Sequence, residues 1–143
     1  AERRTAADAA NRRALLDRLR QGLGDVNAYA RTSAELVHTI VHMSGNEELA
    51  SYCDDFALRI GRYARMGLMT AARRRRSMSI WTRLVFAIAQ RDGAAAAALH
   101  AQLSLENRTA ALEEFRKSKD ARPQPASLPL QAPKRPLSTE YAA

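Results

Sequence analysis

Cysteine, proline and long apolar runs are scarce in this 143-residue sequence, and each scarcity narrows what it encodes. Cys53 stands alone, so no intramolecular disulfide and no cysteine-built zinc site can form, which suits a reducing cytoplasm. All five prolines (Pro123, Pro125, Pro129, Pro133 and Pro136) fall in the last 21 positions, so nothing in residues 1–122 carries the ring that breaks helices. No apolar run approaches the ~20 residues needed to span a bilayer. The charged start lacks the apolar stretch of a secretory signal. Because the first residue is Ala1 rather than Met, we expect further sequence ahead of it. Lysine is rare as well: three of the 23 basic residues are Lys, and against 15 acidic residues the formal charge is +8.

What is abundant points to helix. Hydrophobic residues make up 46% of the chain and 29 residues are alanine, which provides a core and excludes wholesale disorder. Thr5 with Asp8 resembles a capping box opening a first helix with Leu15, Leu16, Leu19 and Leu23 on one side. Gly22 and Gly24 end it, and Asp25 caps a second helix whose inner stripe is Val26, Tyr29, Ala30, Ser33, Val37, Ile40 and Val41. Ser44-Gly45-Asn46 turns the chain into a long third helix with Leu49, Tyr52, Phe56, Tyr63 and Met66 facing inward and Ile60 flanking them. The run Arg73–Arg76 then reads as a charged segment between helices, followed by a fourth helix capped by Ser77 or Ser79 and packed through Trp81, Leu84, Val85 and Ile88. Asp92 caps a fifth, alanine-rich helix carrying Ala95, Ala98, Leu99, Leu103, Ala110 and Phe115. The expected fold is all-α: an antiparallel bundle of about five to six helices over residues 1–117, with a disordered proline-rich tail over 118–143.

No catalytic motif appears, and adjacent carboxylates such as Asp54 and Asp55 point in different directions on a helix, so an enzyme is not expected. His38 and His42 are one helical turn apart and His100 is a possible third ligand, but the first two lie off the Val37 stripe and point outward. Without a cysteine or a clear inward carboxylate partner beside them, no metal site is expected there. The Arg73–Arg76 block is able to grip phosphates, yet no aromatic residues interleave with it, and a solvated linker explains it better. Arg59, between Phe56 and Tyr63 on the apolar side of helix three, reads either as a buried guanidinium paired with a carboxylate or as a side chain reaching out from the bundle edge. Trp81 reads as core that is also able to wall a pocket.

The stretch Asp25 to Phe115 resembles the FCD domain, the all-helical effector-binding domain of FadR-subfamily GntR transcription regulators. The match rests on Asp25-Val26-Asn27-Ala28-Tyr29, the Ser44-Gly45-Asn46 turn, the arginine-rich third helix and basic loop, and Leu84-Val85-Phe86-Ala87-Ile88 with Arg91-Asp92-Gly93. Many relatives hold a divalent metal through one Asp and three His. Here those positions fall on Ser33, Val37, Trp81 and Gln102 or Leu103, so the resemblance implies a metal-free, more apolar cavity with no cofactor. It further implies a cytoplasmic homodimer that binds a carboxylate or acyl-type effector among Ser33, Val37, Arg59, Tyr63, Trp81 and Gln102. DNA would be contacted only through an upstream winged helix absent from this chain, and no membrane is involved. The family's DNA-binding module and most of its first helix are expected to lie ahead of Ala1. The alternative function is a basic bundle that binds nucleic acid or an acidic protein directly through Arg73–Arg76, Lys134 and Arg135.

Overall fold

Twenty residues without glycine or proline, Glu2–Gln21, form α1 in the computed structural model, which describes residues 2–120 of the chain and side chains from Ala7 onward. The glycines end it. Gly22–Gly24 form a 3-10 turn, and a Cβ on the buried Gly22 would stand only 3.2 Å from the backbone nitrogen of Tyr29. Asp25 then opens α2 (Val26–His42): its carboxylate accepts from the backbone N–H groups of Asn27 at 2.7 Å and Ala28 at 3.2 Å. The bonds from Ala28 and Asn27 hold the Asp25 carboxyl below the usual carboxylate range. Gly45, at φ +72°, turns the chain, and the Asn46 side chain accepts from Leu49 N–H at 2.9 Å to start α3 (Glu47–Met66).

The fourth helix starts earlier than the charge run suggests. α4 spans Ala71–Ala89, and its cap is the Thr70 hydroxyl accepting from Arg73 N–H at 3.2 Å, not Ser77 or Ser79. Arg73–Arg76 therefore lies within the first two turns of a helix and is not a linker. Arg91 (φ 59°) and Asp92 then turn the chain into α5 (Gly93–Asp120), whose Ala95 N–H donates to the Asp92 carboxylate at 2.9 Å. Two other boundaries move outward from the sequence expectation: α1 starts at Glu2, ahead of Thr5, and α5 passes residue 117. The tail expected over 118–143 lies, from residue 121, outside the described residues.

The fold is an all-α bundle: among the described residues every element is helical. Helix α1 packs on α2 and α4, α2 on α3, and α5 on both α3 and α4. Leu15, Leu19, Tyr29, Leu36, Ile80, Trp81, Leu84, Leu99 and Leu103 fill the centre. In α2 the fully inward positions are Tyr29, Thr32 and Leu36, with Val26, Ala30, Ser33, Val37 and Ile40 flanking them half buried. Among the described residues no helix is long and apolar enough to cross a membrane.

The third helix corrects the sequence reading most. Its apolar stripe does not face the bundle: Tyr52 is 75% exposed and Phe56 61%, and Leu49, Ile60 and Tyr63 are exposed beside them. The helix seats small residues inward instead, with Ala50 buried and Cys53 and Ala64 half buried. Small side chains let the α2 and α3 backbones approach, which turns the large apolar side chains away from the core. At its C-terminal end, Asn107 of α5 donates to the Ala64 carbonyl at 3.1 Å, and a Cβ on Gly67 would collide with Asn107.

Candidate functional site

The arginine block of α4 divides by helical phase. Arg74 is buried, and its guanidinium donates to three backbone carbonyls: Leu23 at 2.7 Å, Leu68 at 2.9 Å and Met69 at 2.8 Å. It ties the 3-10 turn and the α3–α4 corner to the start of α4. Arg76 makes an ion pair with Glu106 of α5 at 3.1 Å, and Arg75 points to water. Arg73 lies between these environments. Its side chain is only 10% exposed, its Nη2 donates to the Leu103 carbonyl at 3.3 Å, and its Nη1 stands 3.6 Å from a Glu106 oxygen. Nε and Nη1 of Arg73 are nevertheless buried with no hydrogen-bond partner among the described residues. Burial pulls the Arg73 guanidinium below its ordinary pKa, against the opposing pull of Glu106. Glu106 itself is held below the usual range, chiefly by its bond from Arg76 and also by Gln102, which donates to it at 2.8 Å.

Tyr29 of α2 shares this interior. It is fully buried, and its hydroxyl lacks a well-formed hydrogen bond. Burial pushes the phenol up to about 12, outweighing the opposite influence of the Ser77 side chain and the charges of Arg73 and Arg74. One turn further along both helices, Trp81 Nε1 donates to Ser33 Oγ at 3.1 Å. Beside Arg73 a groove of about 320 Å³ opens between the α3–α4 corner and α5, lined among others by Met66, Met69, Thr70, Arg76 and Lys117.

The residues singled out from sequence separate into two groups. Ser33 and Trp81 meet, Val37 packs against the core beside them, and Gln102 is half buried on Glu106. Arg59 and Tyr63 are exposed on α3, so the structure does not bring them to the buried indole of Trp81. Arg59 takes the outward of its two sequence readings. The interior donor set does not fit a metal ion: Ser33 Oγ is engaged by the indole, and Val37 and Trp81 offer no ligand atom. From sequence Tyr29 reads only as inner-stripe packing and Arg73 only as one of a charged run, because spacing does not say which member of the run turns inward; nothing in the sequence marks Glu106.

A second groove, of about 650 Å³, lies on the opposite side of α2, bounded by α1 and α3. Arg18 and Glu35 form a two-pronged ion pair across it at 2.7 and 3.2 Å, and His38 and Asp54 stand along its lining. Asp54 supplies the carboxylate neighbour that the sequence did not reveal for the two histidines: His42 Nε2 lies 3.0 Å and His38 Nε2 3.7 Å from the same Asp54 oxygen. His100 on α5 takes no part in this cluster.

The family model for the FCD domain matches residues 1–121, taking in α1 as well as the stretch from Asp25 to Phe115. No curated protein and no solved structure matches the chain.

Proposed function

The chain belongs to the FCD domain family, the C-terminal effector-binding domains of GntR-family regulators, and from that premise we propose that it senses a small organic acid without a metal ion. One observation carries this reading: the buried Arg73 guanidinium, whose Nε–H has no partner among the described residues, stands beside a groove where Met66, Met69 and Ala110 adjoin Thr70, Arg76, Lys117, Glu113 and Glu114. A buried guanidinium N–H without a partner costs at least about 1–3 kcal/mol, and a carboxylate removes that cost by accepting from it. The acid's carboxylate accepts from the Nε–H of Arg73, and its short apolar part lies along Met66 and Met69. Gln102 orients Glu106 next to Arg73.

The exposed α3 face, with Tyr52, Phe56 and Tyr63, is the surface through which two copies associate. Monomeric proteins seldom leave a contiguous apolar stripe of this kind in water. Because Arg73 sits where the α3–α4 corner meets α5, an acid bound there favours one position of α3 and so one dimer arrangement, which is how a DNA-reading module ahead of the domain is respaced. The alternative of direct nucleic-acid binding loses its main support, since Arg74 and Arg73 turn inward and Arg76 is paired.

A thermal-shift screen of mono- and dicarboxylic acids tests the proposal. At least one acid raises the midpoint of the native chain, and Arg73→Met abolishes the rise while Arg59→Ala preserves it. A rise that survives Arg73→Met, or no rise with any acid, overturns it.

A further inference from the structure

Outside the effector groove, we infer that His38, His42 and Asp54 form a binding site for a divalent first-row transition ion of the zinc class. The inference stands independently of the acid-binding reading. His38 and His42 are one turn apart on α2, with ring centroids 4.0 Å apart and planes inclined by 31°. Side chains four residues apart share a helix face, so both Nε2 atoms reach the same point above it. Asp54 comes from α3, the neighbouring helix, and brings one carboxylate oxygen to 3.0 Å from His42 and 3.7 Å from His38. One ligand atom from each of the three residues lies within 4.8 Å of the others. Bonds of ~2.1 Å in a tetrahedral site set ligand atoms about 3.4 Å apart, so the observed spacings bracket what the ion requires.

The chemistry agrees with the spacing. Two imidazoles and a carboxylate suit a borderline-soft cation, and neutral imidazoles remove the repulsion that two imidazolium rings 4.0 Å apart would suffer. All three side chains are roughly half exposed, so ions have access. Three protein ligands leave the fourth position open to water or to an oxygen donor in the adjoining groove, which His38 and Asp54 also line. The site bridges α2 and α3 and thereby fixes the helix that the bundle core holds least.

The test uses the full 143-residue chain, stripped with a chelator and titrated with Zn²⁺ by calorimetry, then with Co²⁺ by visible absorption. We expect one ion per chain with micromolar affinity, a raised unfolding temperature on Zn²⁺ addition, and a Co²⁺ spectrum without sulfur charge-transfer bands. His42→Ala and Asp54→Asn each weaken binding at least tenfold while leaving the metal-free unfolding temperature within a degree or two. His100→Ala and Cys53→Ser bind as the parent does. Binding that is absent, unchanged in His42→Ala and Asp54→Asn, or lost in Cys53→Ser or His100→Ala overturns the assignment.

Discussion

The indole Nε1 of Trp81 donates to Ser33 Oγ at 3.1 Å, joining α4 to α2 in the interior of the bundle. The pair closes the interior with one neutral hydrogen bond and a fully buried ring. Trp81→Ala removes that ring from a closed space, and we expect a loss of about 3–5 kcal/mol in urea unfolding. Trp81→Phe keeps most of the volume and leaves Ser33 without its donor, for a loss of about 1 kcal/mol.

Arg74 and Arg75 are neighbours with opposite fates. Arg74→Ala leaves the carbonyls of Leu23, Leu68 and Met69 without their donor and is expected to cost at least about 2 kcal/mol. Arg75→Ala, at an exposed position, is expected to stay within about 0.5 kcal/mol of the parent. Equal losses from both in chemical denaturation would contradict the division of the block by helical phase.

Tyr29 gives stability an alkaline limit. Its phenol titrates at about 12 in the folded chain against 10 when unfolded, so the folded state resists ionisation. The contribution is fully present below pH 10 and is lost as pH rises from 10 through about 12. Tyr29→Phe removes that part of the decline, and in an ultraviolet phenolate titration one tyrosine of the native chain ionises late. At the acid end the signs reverse. Asp25 and Glu106 are both depressed, so their contributions hold above the ordinary carboxylate range and fade as pH falls through it. Asp25→Asn and Glu106→Gln are expected to flatten the acid side of the stability profile.

The exposed stripe on α3 separates association from folding. Tyr52→Glu with Phe56→Glu places charges on the apolar face at positions that contribute little to the core. Sedimentation velocity is expected to show a dimer for the parent and a monomer for the double variant, with similar circular dichroism. A parent that is monomeric at all concentrations would contradict the assignment of that face.

What sequence revealed and what it hid follow from the range of each interaction. Caps at Asp25, Asn46 and Asp92 and the corners at Gly22 and Gly45 act within a few residues, so local composition announces them. The inward faces of α4 and α5 at Trp81, Leu84, Leu99 and Leu103 followed from their spacing. The face of α3 did not, because a hydrophobic stripe states which side avoids water and not whether its own bundle or another surface covers it. The Thr70 cap is masked in the sequence because the four arginines that follow read as a break, although arginine is a good helix former. Asp54 became a partner of His38 and His42 only through the phase at which α3 lies on α2, which no spacing along the chain encodes.

The central claim is that Arg73 receives the carboxylate of an effector, and the side-chain Nε–H resonance of Arg73 in a ¹⁵N-labelled sample reports on it most directly. That signal is assigned by its disappearance in Arg73→Lys. On titration with an acid that stabilises the chain, we expect it to move downfield and saturate with the stabilisation, while the Arg59 signal stays in place. An Arg73 signal that remains fixed while the acid binds would contradict the account.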